Sequence, residues 1–168
     1  MDKNIILIGM PSSGKSTLGR RLAGRLGYTF LDTDEVIKQQ NGCTLQNIID
    51  REGLDAFRLR ERQAVLSVTG EKQVIATGGS VIYDVPTMEH LQALGTVVYL
   101  DISFPTLQKR IGDPRVRGVA IPEGFTFRDL YDQRVPLYRQ YAAVTVPQAE
   151  NEPVSRTLEK LLAALDEP

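Results

Sequence analysis

The feature that most constrains this chain is a glycine-rich loop set between a strand-like run and a helix-like run. Residues 5 to 9, IILIG, form a short apolar run typical of a buried strand. Residues 9 to 16, GMPSSGKS, follow, and Leu18, Leu22 and Leu26 then recur at helical spacing. A loop of such small residues costs backbone entropy to order, so we expect an external ligand to stabilise it.

This loop fits the pattern G-x-x-x-x-G-K-[ST], the P-loop. The backbone N–H groups of such a loop surround phosphate oxygens, and the following helix N-terminus adds to the attraction. The pattern places Lys15 on the β- and γ-phosphates and the Ser16 hydroxyl on Mg²⁺. An ordinary strand-to-helix turn is the alternative, but the strand–loop–helix context favours nucleotide binding. The loop residues predicted to bind nucleotide are Gly9, Pro11, Ser12, Ser13, Gly14, Lys15, Ser16 and Thr17.

Four further strand-like runs alternate with helical patterns along the rest of the chain. The runs lie at residues 28–32, 74–77, 96–101 and 142–146, and the helical patterns between and after them at about 57–68, 86–94 and 154–165. Continuous apolar runs are typical of strands buried on both faces. The alternation therefore predicts an α/β fold, a parallel sheet covered by helices on both sides, in one domain spanning residues 1–168.

Composition excludes several classes of function. The formal charge of −1 gives no broad attraction to nucleic acid or to a membrane surface. Cys43 is the one cysteine, which excludes an internal disulfide and fits a reducing compartment. No apolar run approaches the roughly 18 residues of a membrane span. We therefore expect a soluble cytoplasmic protein, and nothing in the sequence demands more than a monomer.

Two aspartates close the second predicted strand, in the segment LDTDE at residues 31–35. In an extended segment Asp32 and Asp34 would face the same way, where they could serve Mg²⁺ and accept the proton of a hydroxyl nucleophile. The alternative is helix capping by Asp32 or Thr33, with Glu35 in the first turn. Both interpretations can hold, for different residues.

A second glycine-rich segment, ATGGS at residues 76–80, follows the third strand. Adjacent glycines at a strand end allow a ligand to approach the backbone closely, although a plain turn explains them equally well. Residues 112–124, GDPRVRGVAIPEG, combine glycines and prolines with two arginines and are typical of a mobile loop.

Three arginines, Arg58, Arg117 and Arg134, are candidates for holding an anionic substrate. A guanidinium group binds a carboxylate through two parallel hydrogen bonds, so arginines that converge near a phosphate site would indicate an anionic acceptor. Spacing along the chain does not show convergence. Solvated surface pairs are the alternative, with Glu61, Asp129 or Asp132 as partners.

Taken together, these segments resemble shikimate kinase, a small P-loop enzyme of the nucleoside monophosphate kinase structural family. The resemblance covers nearly the whole chain and is carried by GMPSSGKST, LDTDEVI, EGLDAFRLRE, ATGGSV, VVYLD, RIGDPRVRG and QRVPLY. The P-loop alone is shared with many families, whereas the combination with D-x-D, F-R-x-x-E and R-x-P-L-Y is far more specific. The resemblance implies a three-layer α/β/α P-loop NTPase fold whose five-stranded parallel sheet has the order 2-3-1-4-5. It also implies a mobile lid at about 112–124 and a shikimate-binding region at about 33–61.

The activity implied is transfer of the ATP γ-phosphate to the 3-hydroxyl of shikimate, which yields shikimate 3-phosphate and ADP in chorismate and aromatic amino-acid biosynthesis. One Mg²⁺ per active site is implied, held by Ser16 and Asp32. The resemblance implies catalytic roles for Asp34, which accepts the proton, for Lys15, and for Arg117, the lid arginine. ATP and shikimate are the expected partners of a monomer that binds neither nucleic acid nor membrane.

The binding residues implied by the resemblance lie in several segments. Arg110 is expected beside adenine, Pro153 in the adenine loop and Arg117 against the nucleotide, while Glu61 is expected to hold an arginine. The residues implied to bind shikimate are Asp34, Arg58, Gly78, Gly79, Ser80 and Arg134.

Two departures from the family pattern keep alternatives open. Ser80 stands where the family commonly has a third glycine, and Arg117 is followed by GVAIPEG where the family usually has Pro-Leu-Leu. A related P-loop kinase acting on another hydroxy acid, such as homoserine, would keep the P-loop and Asp34 and alter the lid. A nucleotide-dependent switch that slowly hydrolyses ATP or GTP is the alternative from a different class.

Overall fold

The five predicted strands form one parallel sheet. In the computed structural model, which describes residues 3–116 and 118–167, the strands are β1 (Asn4–Ile8), β2 (Thr29–Asp32), β3 (Gln73–Ala76), β4 (Gly95–Ile102) and β5 (Val144–Gln148). Their order across the sheet is β2-β3-β1-β4-β5, and all four neighbouring pairs are parallel. The strand order and the α/β class expected for the chain are thus confirmed.

Helices connect the strands and cover both faces of the sheet. They are α1 (Lys15–Leu26), α2 (Thr33–Asn41), α3 (Leu45–Glu52), α4 (Leu54–Leu66), α5 (Val85–Leu94), α6 (Phe104–Ile111), α7 (Phe127–Tyr141) and α8 (Val154–Asp166), and a 3-10 turn (Val81–Tyr83) precedes α5. Four of them overlap the helical patterns read from the sequence. Within the described ranges, no helix combines the length and the apolar character that crossing a bilayer requires.

The central strand β1 is buried along its whole length because both faces of the sheet are covered. Ile6 and Ile8 belong to a core cluster shared with α4, α5 and α7, whereas Ile5 and Leu7 belong to a second cluster on the other face, shared with α1 and α8. Side chains that alternate between two apolar layers explain why the strand is a continuous apolar run.

A third, smaller core cluster joins the helices that follow β2. Ile37 from α2, Ile48 from α3, and Phe57 and Ala64 from α4 are all buried in it. This cluster fixes the three helices as a unit beside the carboxyl end of β2. Residues 112–126, between α6 and α7, contain neither helix nor strand where the structure describes them, and they include the predicted lid. Arg117 lies outside the described residues.

Candidate active site

The P-loop joins β1 to α1 and exposes backbone donors at the start of that helix. Gly14 is the N-cap residue of α1, and no side chain caps it, so the first-turn N–H groups remain available to a ligand. Ser12 has a φ of 62°, a left-handed conformation that is uncommon for a residue with a side chain. The helix dipole and these donors together favour an anion at this point.

Lys15 lies inside the loop rather than in solvent. Its Nζ donates hydrogen bonds of 2.8 Å to the carbonyl oxygens of Gly9 and Met10. Burial lowers the pKa of the Lys15 amino group to about 8, although the nearby Asp34 carboxylate opposes this shift. A bound polyanion would act in the same direction as Asp34 and raise the pKa of Lys15, which keeps the amino group charged as a phosphate-binding lysine requires.

Asp32 has two roles at the end of β2. Its carboxylate accepts a hydrogen bond from the backbone N–H of Asp34 at 2.9 Å, which caps α2, and it accepts another from the Ser16 hydroxyl at 3.1 Å. The capping interpretation is therefore confirmed for Asp32. The expectation that Asp34 continues an extended segment is wrong, because α2 already begins at Thr33.

The residues beside the P-loop fit a magnesium ion. Ser16 and Asp32 present hard oxygen ligands side by side, and the buried Oδ1 of Asp34 has no hydrogen-bond partner among the described residues. No group of three or more acidic, histidine or cysteine side chains that could hold a metal occurs in the part of the chain that the structure describes. Mg²⁺ is usually bound by one or two protein ligands together with phosphate oxygens and water, and Ser16 and Asp32 could supply such a pair.

Gly78 and Gly79 bring the backbone after β3 against the functional side chains. A Cβ on Gly78 would lie 2.9 Å from Oε2 of Glu61 and 3.1 Å from Oδ1 of Asp34. A Cβ on Gly79 would lie 2.7 Å from Nη1 of Arg134. Close approach of charged side chains, and not turn geometry alone, therefore accounts for both glycines.

The two described candidate arginines do not form the surface ion pairs considered as the alternative. Arg134 is only 5% exposed, and its Nε donates to the Tyr83 hydroxyl at 3.2 Å. Arg58 is half-buried, and its Nε is buried without a hydrogen-bond partner among the described residues. Of the three carboxylates considered as surface partners, Asp129 takes part in the cap of α7 and Asp132 pairs with Arg128. Glu61 is buried, and its charge interacts with both Arg134 and Arg58 inside the site instead of at the surface.

The half-buried carboxyl group of Asp34 lies next to the buried carboxyl group of Glu61 in this site. Burial, together with the charge of Asp32, raises the pKa of Asp34 to about 6. Burial and the charge of Asp34 raise the pKa of Glu61 to about 7. The Ser80 hydroxyl donates to Oε1 of Glu61 at 3.2 Å, so the residue that departs from the family pattern contacts the carboxyl group predicted to hold an arginine.

One cleft of about 450 Å³ joins these groups. Most of the predicted site residues line it: Pro11, Ser12, Gly14, Lys15, Ser16, Thr17, Asp32, Asp34, Arg58, Gly78, Gly79, Ser80 and Arg134. Residues that the sequence interpretation did not single out also line it, among them Leu45, Ile49, Leu54, Tyr83, Gln133 and the loop residues Gly118, Val119, Ala120 and Pro122. The sequence signal that most of these residues share is their position, because they lie in or beside the predicted substrate-binding segment, the predicted lid or Arg134.

A smaller pocket of about 80 Å³ is lined by Ser13 and Gly14 of the P-loop and by residues at the start of α8. Arg110 lines it and donates to Oε1 of Gln148 at 3.2 Å, while Gln148 donates to the carbonyl of Ser13 at 2.8 Å. Glu152 and Val154 also line this pocket. Pro153, which lies between them in the sequence, lines neither cavity, and the same is true of Gly9 in the P-loop. The predicted adenine residues thus cluster next to the predicted phosphate loop.

Comparison with known proteins decides the family. The sequence model of the family described as shikimate kinase matches residues 11–166. The chain belongs to the shikimate kinase family. Its sequence is 37% identical to the shikimate kinase of Paracidovorax citrulli (strain AAC00-1) over 169 residues, which cover 97% of this chain and 92% of that protein. It is 39% identical to the shikimate kinase of Mannheimia succiniciproducens over 154 residues, 88% of this chain and 87% of that protein.

Solved structures of shikimate kinases share the fold. Shikimate kinase from Acinetobacter baumannii in complex with shikimate has a TM-score of 0.86 and 34% identity, covering 97% of this chain and 92% of that one. Shikimate kinase from Aquifex aeolicus has a TM-score of 0.83 and 28% identity, covering 97% and 96%. The predicted family, P-loop fold and kinase class are confirmed, and these findings favour shikimate kinase over a kinase for another hydroxy acid.

Proposed function

We propose that this shikimate kinase family member transfers the γ-phosphoryl group of ATP to the 3-hydroxyl of shikimate, forming shikimate 3-phosphate and ADP. The observation that carries the proposal is the convergence of the P-loop, the half-buried Asp34 and two arginines on one cleft. This arrangement suits an acceptor that carries both a carboxylate and a hydroxyl group. Direct transfer between two bound molecules requires such a shared enclosure.

The nucleotide is held by the P-loop in this proposal. Backbone N–H groups from Ser12 to Thr17 bind the phosphate oxygens, and Lys15 leaves the Gly9 and Met10 carbonyls to bind the β- and γ-phosphates. Ser16 and Asp32 would hold one Mg²⁺, which when bound neutralises phosphate charge. Arg110 and the segment around Pro153 position adenine beside the smaller pocket.

The acceptor lies on the opposite wall of the cleft. Arg58 and Arg134 bind its carboxylate, and the backbone at Gly78, Gly79 and Ser80 lies against its ring. Asp34 accepts the proton of the 3-hydroxyl group while the oxygen of that hydroxyl group forms a bond to the γ-phosphorus. The bond from that phosphorus to the β–γ bridging oxygen breaks, and ADP leaves. Glu61 orients the arginines through its buried carboxyl group.

The loop at 112–124 completes the site by closing over the reacting groups and excluding water, which would otherwise hydrolyse ATP. Gly118, Val119 and Pro122 already line the cleft, which supports this role. Arg117 brings a further positive charge to the transferring phosphoryl group. We further propose that the protein acts as a monomer in the cytoplasm and binds neither nucleic acid nor membrane.

An assay that couples ADP release to a spectroscopic signal tests the proposal. Shikimate, homoserine and no acceptor are compared at fixed Mg·ATP, and mass spectrometry identifies the phosphorylated product. We expect turnover with shikimate at least a hundredfold above the acceptor-free rate, and no stimulation by homoserine. Equal rates with and without shikimate would overturn the proposal, and stimulation by homoserine alone would replace the acceptor. Lys15→Met is the matched control that should abolish transfer.

A further inference from the structure

Tyr83 occupies the space between the two substrate-binding arginines. It ends the 3-10 turn after Ser80 and lines the cleft. The guanidinium carbon of Arg58 lies 4.9 Å from the centroid of the Tyr83 ring, and that of Arg134 lies 5.5 Å from it. Both distances are within the range of cation–π attraction. One aromatic side chain therefore contacts cations from two different helices, α4 and α7.

We propose that Tyr83 is a positioning residue that holds Arg58 and Arg134 together so that both can bind the carboxylate of the acceptor. This inference rests on the proposed function, since it concerns how the same site recognises its substrate. Two guanidinium groups at one site repel each other, and the negative face of an aromatic ring offsets part of that repulsion. A ring also holds a guanidinium by its face, which leaves the N–H donors at its edge free for a carboxylate.

Arg58 depends on this ring more than Arg134 does. Within residues 3–116 and 118–167, no hydrogen bond joins the Arg58 side chain to another group, and its Nε is buried without a partner. The Arg58 guanidinium is attracted by the Tyr83 ring and by the charge of Glu61. A buried donor such as this Nε is costly when it is left without an acceptor, so the arrangement suits a site that binds an anion.

The Tyr83 hydroxyl sets the orientation of the ring. It donates to Oε1 of Gln133 at 2.8 Å and accepts from Nε of Arg134 at 3.2 Å. Gln133 and Arg134 are neighbours in α7, so these two hydrogen bonds tie the 3-10 turn to that helix. Phenylalanine at position 83 would keep both ring contacts and lose both hydrogen bonds, whereas leucine would lose all four interactions.

Steady-state kinetics of Tyr83→Leu and Tyr83→Phe test the inference. For Tyr83→Leu we expect KM for shikimate to rise about tenfold, because the variant loses two cation–π contacts and a hydrogen bond to a charged group. KM for ATP should change less than twofold. For Tyr83→Phe we expect KM for shikimate to rise about threefold. Tyr83 also packs against a core cluster, so thermal melts accompany the kinetics, and Tyr83→Met replaces Tyr83→Leu if the latter does not fold.

A substrate without the charge separates positioning from packing. The carboxamide of shikimate cannot form the ion pairs, so the ratio of kcat/KM for shikimate to that for the amide should fall at least threefold in Tyr83→Leu. Tyr141→Leu, in a half-buried tyrosine of α7 outside the cleft, is the matched control and should leave this ratio unchanged. An unchanged KM for shikimate, or equal losses with both substrates, overturns the Tyr83 inference alone. A wild-type enzyme that does not use shikimate overturns the proposed function as well.

Discussion

Replacing Glu61 by glutamine is expected to stabilise the protein at alkaline pH. Glu61 is 3% exposed, and burial together with the charge of Asp34 raises its pKa from 4.5 to about 7. The folded protein therefore binds a proton that the unfolded chain releases, and the free energy of unfolding falls as pH rises from about 4.5 to about 7. Glutamine keeps a similar shape and has no charge to bury.

The size of the effect follows from that shift. A difference of about 2.5 pH units at about 1.4 kcal/mol per unit amounts to about 3 kcal/mol of cost to the folded state once Glu61 is ionised. The hydrogen bond from Ser80 and the charges of Arg134 and Arg58 oppose this rise in the pKa of Glu61 but do not cancel it. Relative to the wild type, the Glu61→Gln variant should therefore gain about 3 kcal/mol of stability between pH 4.5 and pH 8.

Urea denaturation of both proteins at half-unit steps from pH 4.5 to pH 8.5 measures this gain. Glu159→Gln is the matched control, because Glu159 is an exposed carboxylate whose removal should change stability by less than about 0.5 kcal/mol at any pH. A difference between Glu61→Gln and wild type that stays constant across this range would refute the argument. So would a variant that loses stability relative to wild type as pH rises.

The remaining predictions concern activity. Asp34→Asn should lower kcat at least a hundredfold while ATP affinity, measured by calorimetry, stays within about threefold, because the amide cannot accept the proton; unchanged turnover would remove Asp34 from the mechanism. Arg58→Lys should raise KM for shikimate about tenfold, since lysine cannot form two parallel hydrogen bonds; a rise in KM for ATP instead would contradict the carboxylate assignment. Gly79→Ala should raise KM for shikimate several-fold with little change in melting temperature, because the added Cβ would meet Nη1 of Arg134 at 2.7 Å; unchanged kinetics would place the arginine elsewhere.

The sheet and the P-loop could be predicted because their signals are local. Each strand is a short apolar run, and the phosphate loop is one continuous motif whose spacing reflects its chemistry. The start of α2 has no such decisive signal, because Asp34 follows the strand by only two residues and either an extended or a helical conformation suits LDTDE. The cap at Asp32 settles the start of the helix, but in the sequence capping is only one of two interpretations of this segment.

The acceptor side of the cleft depends on contacts between distant segments. Tyr83 and Arg134 are separated by 51 positions, and no spacing rule connects a single tyrosine in a turn to an arginine on a later helix. The charge state of Glu61 is likewise set by burial among α4, the segment after β3 and Asp34. Sequence resemblance supplies Arg134 and Glu61 but not Tyr83, and the fold is needed to show that all three line one cleft.

A crystal structure with ADP, Mg²⁺ and shikimate bound is the measurement that tests the central claim most directly. We predict that the β-phosphate of ADP lies within hydrogen-bonding distance of the P-loop N–H groups and of Lys15. The shikimate carboxylate should contact Arg58 and Arg134, and its 3-hydroxyl should lie about 3 Å from Asp34. Shikimate bound with its carboxylate away from both arginines, or with Asp34 turned from the hydroxyl, would contradict the account.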